Sequence, residues 1–111
     1  MAHLINNNFS RDDDEDRGNA KRHKGDYEGA IEDYNKAIEL FGKDNPDAAE
    51  SYYNRGAAKK KKGDAVKEKE EKKKLYEDAR EDYEMALRLN PELEITKNNL
   101  KNLKELLAKI G

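Results

Sequence analysis

The chain has 111 residues, which is enough for one domain with a single hydrophobic core. Charged residues make up 43% of the sequence and hydrophobic residues 34%, yet the net charge is only −2. Such a balance excludes a strong overall attraction to nucleic acid or to an anionic membrane. The absence of cysteine excludes disulfides and thiol chemistry. No apolar run could span a bilayer and no signal peptide is recognisable, so we expect a cytoplasmic protein.

The first ten residues, MAHLINNNFS, are polar and rich in asparagine. We therefore expect residues 1–11 to form a flexible leader. The next stretch, SRDDDEDRGNAKRHKGD, starts with acids and ends with bases, which complements a helix dipole, and Gly25 is a natural stop. This pattern predicts a first helix, although Ala20 is almost its only apolar residue.

A clear amphipathic pattern follows Asp26, which is suited to cap a second helix. Its apolar residues recur at spacings of three and four, as on one face of a helix: Tyr27, Ala30, Ile31, Tyr34, Ala37, Ile38 and Phe41. The segment GKDNPD predicts a loop. A third helix is then expected from Asp47 or Ala48 to KKKKG, where lysines and a glycine mark a helix end.

Two further helices are predicted in the C-terminal half. Asp64 is suited to cap the fourth, and Pro91 ends it because proline cannot continue a helix. The last helix is expected over residues 93–110, and its apolar residues need a surface to pack on: Leu100, Leu103, Leu106, Leu107 and Ile110.

The sequence contains the same unit twice. RGNAKRHKGDYEGAIEDYNKAIEL, residues 17–40, aligns with RGAAKKKKGD, residues 55–64, joined to YEDAREDYEMALRL, residues 76–89. Each unit reads as a helix, a Gly-Asp pair and a second helix with tyrosine and alanine at fixed spacing. Small residues would let paired helices approach closely while tyrosines fill the space between neighbouring hairpins: Gly18, Ala30, Gly56 and Ala79.

This pattern over residues 12–91 resembles the tetratricopeptide repeat (TPR) family. The first copy matches at Gly18, Gly25, Asp26, Tyr27, Ala30, Tyr34 and Ala37, and the second at Gly56, Gly63, Asp64, Tyr76, Ala79, Tyr83, Ala86 and Pro91. The resemblance implies an all-α fold in which antiparallel helical hairpins stack as a short TPR-like α-solenoid.

On this resemblance, a TPR-like domain covers residues 12–111. Repeat one spans residues 12–45, repeat two spans residues 46–91, and a capping helix spans residues 93–110. The first helix departs from the family pattern because polar residues stand where large apolar ones are usual: Asp14, Arg17 and Lys21.

Repeat two carries an insert, AVKEKEEKKKL, at residues 65–75. Its eleven residues make about three helical turns and contain neither glycine nor proline. We therefore predict one helix over residues 64–89 whose first three turns project beyond the bundle. The alternative is a disordered Lys/Glu loop, with the helix starting again near Lys74.

The resemblance also implies a function, because TPR arrays bind peptides or proteins on the concave face lined by the first helix of each repeat. Carried over to this sequence, the candidate peptide-binding residues are Asn19, Arg22, Tyr53, Asn54, Ala57, Lys60 and Lys61. Some members hold a C-terminal carboxylate with two asparagines and three basic residues. Asn19 and Asn54 match, but the basic positions hold Glu15, Ile95 and Asn99, which argues against that ligand.

We thus predict a non-enzymatic module that binds a protein or peptide. The alternative is a designed or structural helical-repeat scaffold with no natural ligand, and self-association is left open as a way of covering apolar surface. RDDDED lacks the glycine and glutamate of a calcium loop, and no catalytic, metal or cofactor constellation is recognisable. The lysine clusters at residues 59–62 and 72–74 read as solvated helix surface, so neither nucleic acid nor membrane is an expected partner.

Overall fold

The computed structural model describes the backbone of residues 2–110 and the side chains of residues 13–110. Over that range the chain forms five α-helices and no strand. They are α1 (Ala2–His23), α2 (Tyr27–Phe41), α3 (Ala49–Ala65), α4 (Lys69–Leu89) and α5 (Glu94–Ile110), with a 3-10 turn at Pro46–Ala48. Each helix packs on the next, α1 on α2 through to α4 on α5. The predicted all-α fold of stacked helical hairpins is confirmed.

The turn between α1 and α2 follows from the Gly-Asp pair. Gly25 has a φ of +88°, which favours glycine, and the Asp26 carboxylate accepts a hydrogen bond from the Gly29 amide at 3.0 Å. α2 ends at Gly42, whose φ of +107° again favours glycine. Asn45 then accepts a hydrogen bond from the Asp47 amide at 2.9 Å and starts the turn into α3.

Glycine and tyrosine pack against each other inside each hairpin, as the repeat predicts. A Cβ atom on Gly18 would lie 2.7 Å from Cε1 of Tyr34, and one on Gly56 would lie 2.9 Å from Cε1 of Tyr83. Both tyrosines are buried. The close helix approach expected from the small residues is therefore confirmed, since any larger side chain would collide with the ring.

Polar residues of α1 form an ion network around a buried carboxylate of α2. Asp33 is 2% exposed, and the ammonium of Lys21 lies 2.9 Å from its carboxylate. Arg17 lies 3.7 Å from Asp33 and also pairs with Asp13 and Asp14. Arg17 and Lys21 of α1 therefore contact α2 through charge pairing, because a buried carboxylate requires compensating cations.

The same network recurs in the second hairpin. Arg55 donates two hydrogen bonds to Asp82, at 2.9 and 2.7 Å, and Lys59 lies 3.0 Å from the same carboxylate. Arg55 and Lys59 are the equivalents of Arg17 and Lys21 in the aligned units. The duplication therefore extends from the apolar packing to the buried charges.

The insert follows neither predicted course in full, although residues 69–75 are helical and α4 ends at Leu89 as the first version has it. α3 continues through Gly63 and Asp64 to Ala65, the chain turns at residues 66–68, and α4 starts at Lys69 with Glu68 as its cap. Tyr76 packs on Gly63 and donates a hydrogen bond to Asp64 at 2.5 Å. These contacts hold Gly63 inside a helix, so the inserted residues lengthen both helices of the hairpin and move its turn outwards.

The first helix also differs from expectation. α1 begins at Ala2, so the leader predicted as flexible over residues 1–11 is helical in the part that the structure describes. No glycine or proline stands between Ala2 and Arg17, so nothing in the sequence stops the helix before it reaches the polar leader.

The last helix closes the array. Leu103 of α5 is 1% exposed and packs against Tyr76, Ala79 and Tyr83 of α4. This is the surface that the leucines of the predicted capping helix required. None of the helices described over residues 2–110 combines the length and the apolar character that a membrane-spanning segment needs.

Candidate functional site

A groove opens on the face that α1 and α3 share, and α5 closes one side of it. Its volume is about 400 Å³. Four helices supply its lining: Arg22, His23, Tyr53, Ala57, Lys60, Lys61, Tyr83, Asn99 and Asn102. We call this cavity the concave groove.

Five of the seven candidate peptide-binding residues line the concave groove: Arg22, Tyr53, Ala57, Lys60 and Lys61. Asn54 instead lines a smaller neighbouring pocket, which Tyr53 also borders. Asn19 lies deeper and accepts a hydrogen bond from the Tyr34 hydroxyl at 2.5 Å. The structure thus brings most of the candidates together, while Asn19 is engaged with the α2 core.

Tyr53 is the best-fixed side chain of the groove. Its ring stacks on that of Tyr83, with centroids 5.7 Å apart and planes at 26°. Its hydroxyl accepts a hydrogen bond from the Asn99 side-chain amide at 2.9 Å. Because α3, α4 and α5 all hold this ring, it keeps one orientation before any ligand arrives, which lowers the entropic cost of binding.

Sequence reasoning missed the contribution of α4 and α5 to the groove. Asn99 and Asn102 stand three residues apart and therefore share a face of α5. Leu103 and its apolar neighbours face α4, which turns the asparagines towards α3. The spacing of the two asparagines indicates a polar face on α5. Which helix that face meets depends on how α5 packs against α4.

Basic side chains gather at one end of the concave groove. Arg22 and His23 come from the end of α1, and Lys60 and Lys61 come from the equivalent turn of α3. Lys60 pairs with Asp64 at 2.9 Å. Among the side chains of residues 13–110, neither Arg22 nor Lys61 forms an ion pair, and both side chains reach solvent. This end of the groove therefore presents uncompensated positive charge.

Buried tyrosine hydroxyls lie beneath the groove in their neutral form. Burial raises the pKa of Tyr34 to about 12, and the nearby charge of Arg22 opposes part of this rise. Burial also raises the pKa of Tyr83, again with Arg22 acting in the opposite direction. A phenol with its usual pKa is already protonated at neutral pH, and burial extends the neutral form of these two to higher pH.

The residues aligned with a carboxylate clamp are occupied otherwise. Glu15 accepts a hydrogen bond from the Ser51 hydroxyl at 2.5 Å, and Asn99 is bound to Tyr53. Ile95 is 58% exposed and offers only apolar surface. These side chains therefore present no set of donors for a terminal carboxylate.

A known protein family matches part of the chain. The family described as TPR repeat matches residues 18–63, from the glycine of α1 that faces Tyr34 to the glycine of α3 that faces Tyr76. The matched segment includes α2, nearly all of α3 and all seven candidate peptide-binding residues. No curated protein matches the chain.

Proposed function

We propose that the chain is a non-enzymatic module that binds an extended peptide segment of a partner protein, because residues 18–63 match the tetratricopeptide repeat family, whose members typically act in protein interactions. The proposed binding surface is the concave groove together with the neighbouring pocket at Asn54. The observation that carries the proposal is the fixed, partly exposed ring of Tyr53 at the centre of that surface.

The size and lining of the groove support a peptide ligand. A volume of about 400 Å³ accommodates a few side chains, and the lining mixes aromatic surface with polar groups. The side-chain amides of Asn54 and Asn102 offer both donors and acceptors, which suits the alternating groups of a peptide backbone. Ala57 leaves room beside Tyr53, so a ligand can reach the ring.

The proposal can be tested without knowing the partner. A phage-displayed library of seven-residue peptides would be selected on the immobilised chain, and each selected peptide would be measured against the Ala57→Arg variant, which fills the groove. Lys36→Arg on the exposed surface of α2 is the matched control. We expect the selected peptides to lose at least about tenfold in affinity for Ala57→Arg, or about 1.4 kcal/mol, and none for the control.

Two outcomes would contradict the proposal. Peptides that bind both variants equally would place the binding surface elsewhere. A selection that yields no saturable binder would favour the alternative, a helical-repeat scaffold with no natural ligand.

A further inference from the structure

Three cavities follow one another along α3 and share lining residues. The concave groove and the smaller pocket, of about 210 Å³, both include Tyr53. The smaller pocket and a third cavity, of about 370 Å³, both include Glu50. A ligand could therefore cross all three in sequence, from Lys61 at one end of α3 to Glu50 at the other. In this order along α3, we call the concave groove the basic end, the smaller pocket the middle pocket and the third cavity the acidic end.

The basic end carries positive charge alone. Its lining contains Arg22, His23, Lys60 and Lys61, and no carboxylate. Only Lys60 has a partner among the described side chains, Asp64. An anionic group entering here would meet Arg22 and Lys61 from two different helices.

Apart from Glu50, which it shares with the acidic end, the middle pocket is lined by uncharged side chains and is largely apolar. Leu93, Ile95 and Thr96 form one side of it, and Tyr53 and Asn54 form the other. Ile95 is one of the two large apolar side chains that are most exposed among the described residues. The Thr96 hydroxyl is buried and makes no hydrogen bond within the described part of the chain. An aliphatic side chain placed here would cover Ile95 and remove apolar surface from water.

The acidic end reverses the charge. Glu15, Asp47 and Glu50 line it together with Phe41, Pro46, Ala49 and Asn90, and no lysine, arginine or histidine is among them. Glu15 accepts its hydrogen bond from the neutral Ser51, and Glu50 forms no ion pair with any side chain of residues 13–110. This end therefore presents uncompensated negative charge.

Both helices of the concave face, α1 and α3, change from acidic to basic side chains in the same direction, so each contributes to one charge gradient. In α1 an acid, Glu15, precedes a base, Arg22, and in α3 Glu50 precedes Lys61. The acids of the two helices share one cavity and the bases share another, so the two gradients add. Eleven residues separate Glu50 from Lys61, which is about 16 Å along the helix. An extended chain covers that distance in about five residues.

From this gradient we propose that the ligand is a dipolar peptide segment. It carries acidic residues at one end, an apolar residue in the middle and basic residues at the other end, with the charges about five residues apart. The charges bind in one orientation only, acids at Arg22 and Lys61 and bases at Glu50. The inference rests on the proposed function and adds the chemical class of the peptide.

The same arrangement disfavours a nucleic acid on this surface. A nucleic-acid backbone is negative along its whole length, so its phosphates would meet Glu15 and Glu50 after leaving the basic end. Tyr83 is buried, and Tyr53 already stacks on it, which leaves little free aromatic face for bases.

A peptide of defined charge order tests the inference directly. The probe is a fluorescein-labelled Glu-Glu-Ser-Leu-Ser-Lys-Lys peptide, and its control, Glu-Lys-Ser-Leu-Ser-Lys-Glu, has the same composition without the charge separation. Affinities would be measured by fluorescence anisotropy at low salt. We expect the probe to bind at least about fivefold more tightly than the control, because each exposed ion pair contributes only modestly.

Charge-reversed variants give the second readout. Lys61→Glu should weaken probe binding at least about fivefold. The control Lys36→Glu changes the net charge equally, lies on α2 outside the three cavities, and should leave binding unchanged. The double variant Glu50→Lys/Lys61→Glu leaves Glu15 and Arg22 opposed to the exchanged charges, so it should abolish the preference for the probe over the control. On the unmodified protein, a spin label on the N-terminus of the probe should broaden amide resonances at the Lys61 end of α3.

Several results would overturn the inference. One is that the probe shows no saturable binding, or binds no more tightly than the control peptide. Another is that Lys61→Glu and Lys36→Glu weaken its binding equally. A third is that a single-stranded RNA oligonucleotide binds at the same surface in place of the probe. Library peptides that bind the groove without any charge order would leave the proposed function intact and remove only the dipolar inference. If no library peptide is sensitive to Ala57→Arg, the proposed function itself fails.

Discussion

The backbone of Gly56 lies against the ring of Tyr83 so closely that a Cβ atom would come within 2.9 Å of Cε1 and 3.1 Å of the Ala79 carbonyl oxygen. The equivalent pair in the first hairpin is Gly18 and Tyr34. The buried tyrosine thus occupies the space that a missing side chain leaves, and this contact sets the distance between the helices of each hairpin.

The Gly56→Val variant should therefore destabilise the fold. Overpacking of a dense core typically costs about 1–3 kcal/mol, and here part of the collision is with backbone, which yields less than a side chain. We expect a loss of about 2 kcal/mol in the free energy of unfolding by urea. Glu32→Val, at an exposed position of α2, should change it by less than about 0.5 kcal/mol. Equal stability of both variants would show that the close approach is not required.

The buried aspartates should differ in their contribution to stability. Asp82 accepts a paired set of hydrogen bonds from Arg55, whereas the nearest approach of Arg17 to Asp33 is 3.7 Å. Asp82→Asn should cost about 3 kcal/mol, because it leaves two partly buried cations without their partner. Urea unfolding at neutral pH would measure it.

Asp33→Asn is the matched comparison, and we expect it to cost only about 1 kcal/mol. The side chains of Arg17 and Lys21 are 45% and 40% exposed, so water replaces much of what they lose. The reverse order of the two losses would contradict the assignment of the stronger network to the second hairpin.

Stability should fall at high pH because burial raises the pKa of Tyr34 to about 12, above its usual value of 10. The unfolded chain then releases the phenol proton before the folded chain does. The stabilisation is complete below pH 10 and is lost as pH rises towards 12. Near pH 11, the free energy of unfolding of Tyr34→Phe should fall with pH less steeply than that of the unmodified protein, by about 1 kcal/mol per pH unit. Parallel slopes for the two proteins would mean that the phenol titrates normally.

Removal of residues 65–75 should leave the fold intact. The shortened hairpin would read GDYEDA, the same pattern that forms the turn at Gly25. Gly63 is then free to adopt the positive φ that Gly25 has, and Asp64 can cap α4. We expect a cooperative melt and a cost of no more than about 2 kcal/mol, mostly the lost contacts of Tyr76 with α3. A molten or unfolded product by circular dichroism would show that the extended hairpin is essential.

The hairpins themselves could be predicted from the sequence because their contacts repeat at fixed offsets. Gly56, Ala79 and Tyr83 have equivalents in the first unit, and the glycine–tyrosine pair packs in the same way in both copies. The position of the second turn could not be predicted. Its residues, Val66 to Glu68, include no glycine or proline, and the Lys/Glu pattern around them is compatible with helix on either side. Tyr76 packs on Gly63 across the hairpin, a tertiary contact that the local pattern does not indicate.

The candidate site was predictable in part for a related reason. Tyr53, Ala57 and Lys61 follow from the register of α3 within the repeat. Asn99 and Asn102 belong to α5, which has no repeat equivalent, and their place in the groove depends on how Leu103 docks onto α4. Periodicity indicates which residues share a helix face, but it does not say which neighbour that face meets.

The central claim is that the concave face of α1 and α3 is the binding surface. Chemical-shift mapping by NMR tests it most directly, with a library-selected peptide titrated into labelled protein. The account predicts the largest shifts at Arg22, Tyr53, Asn54, Ala57 and Lys61, and little change along the exposed surface of α2. Shifts concentrated on α2 or on the outer surface of α5, with the amide of Tyr53 unmoved, would contradict it.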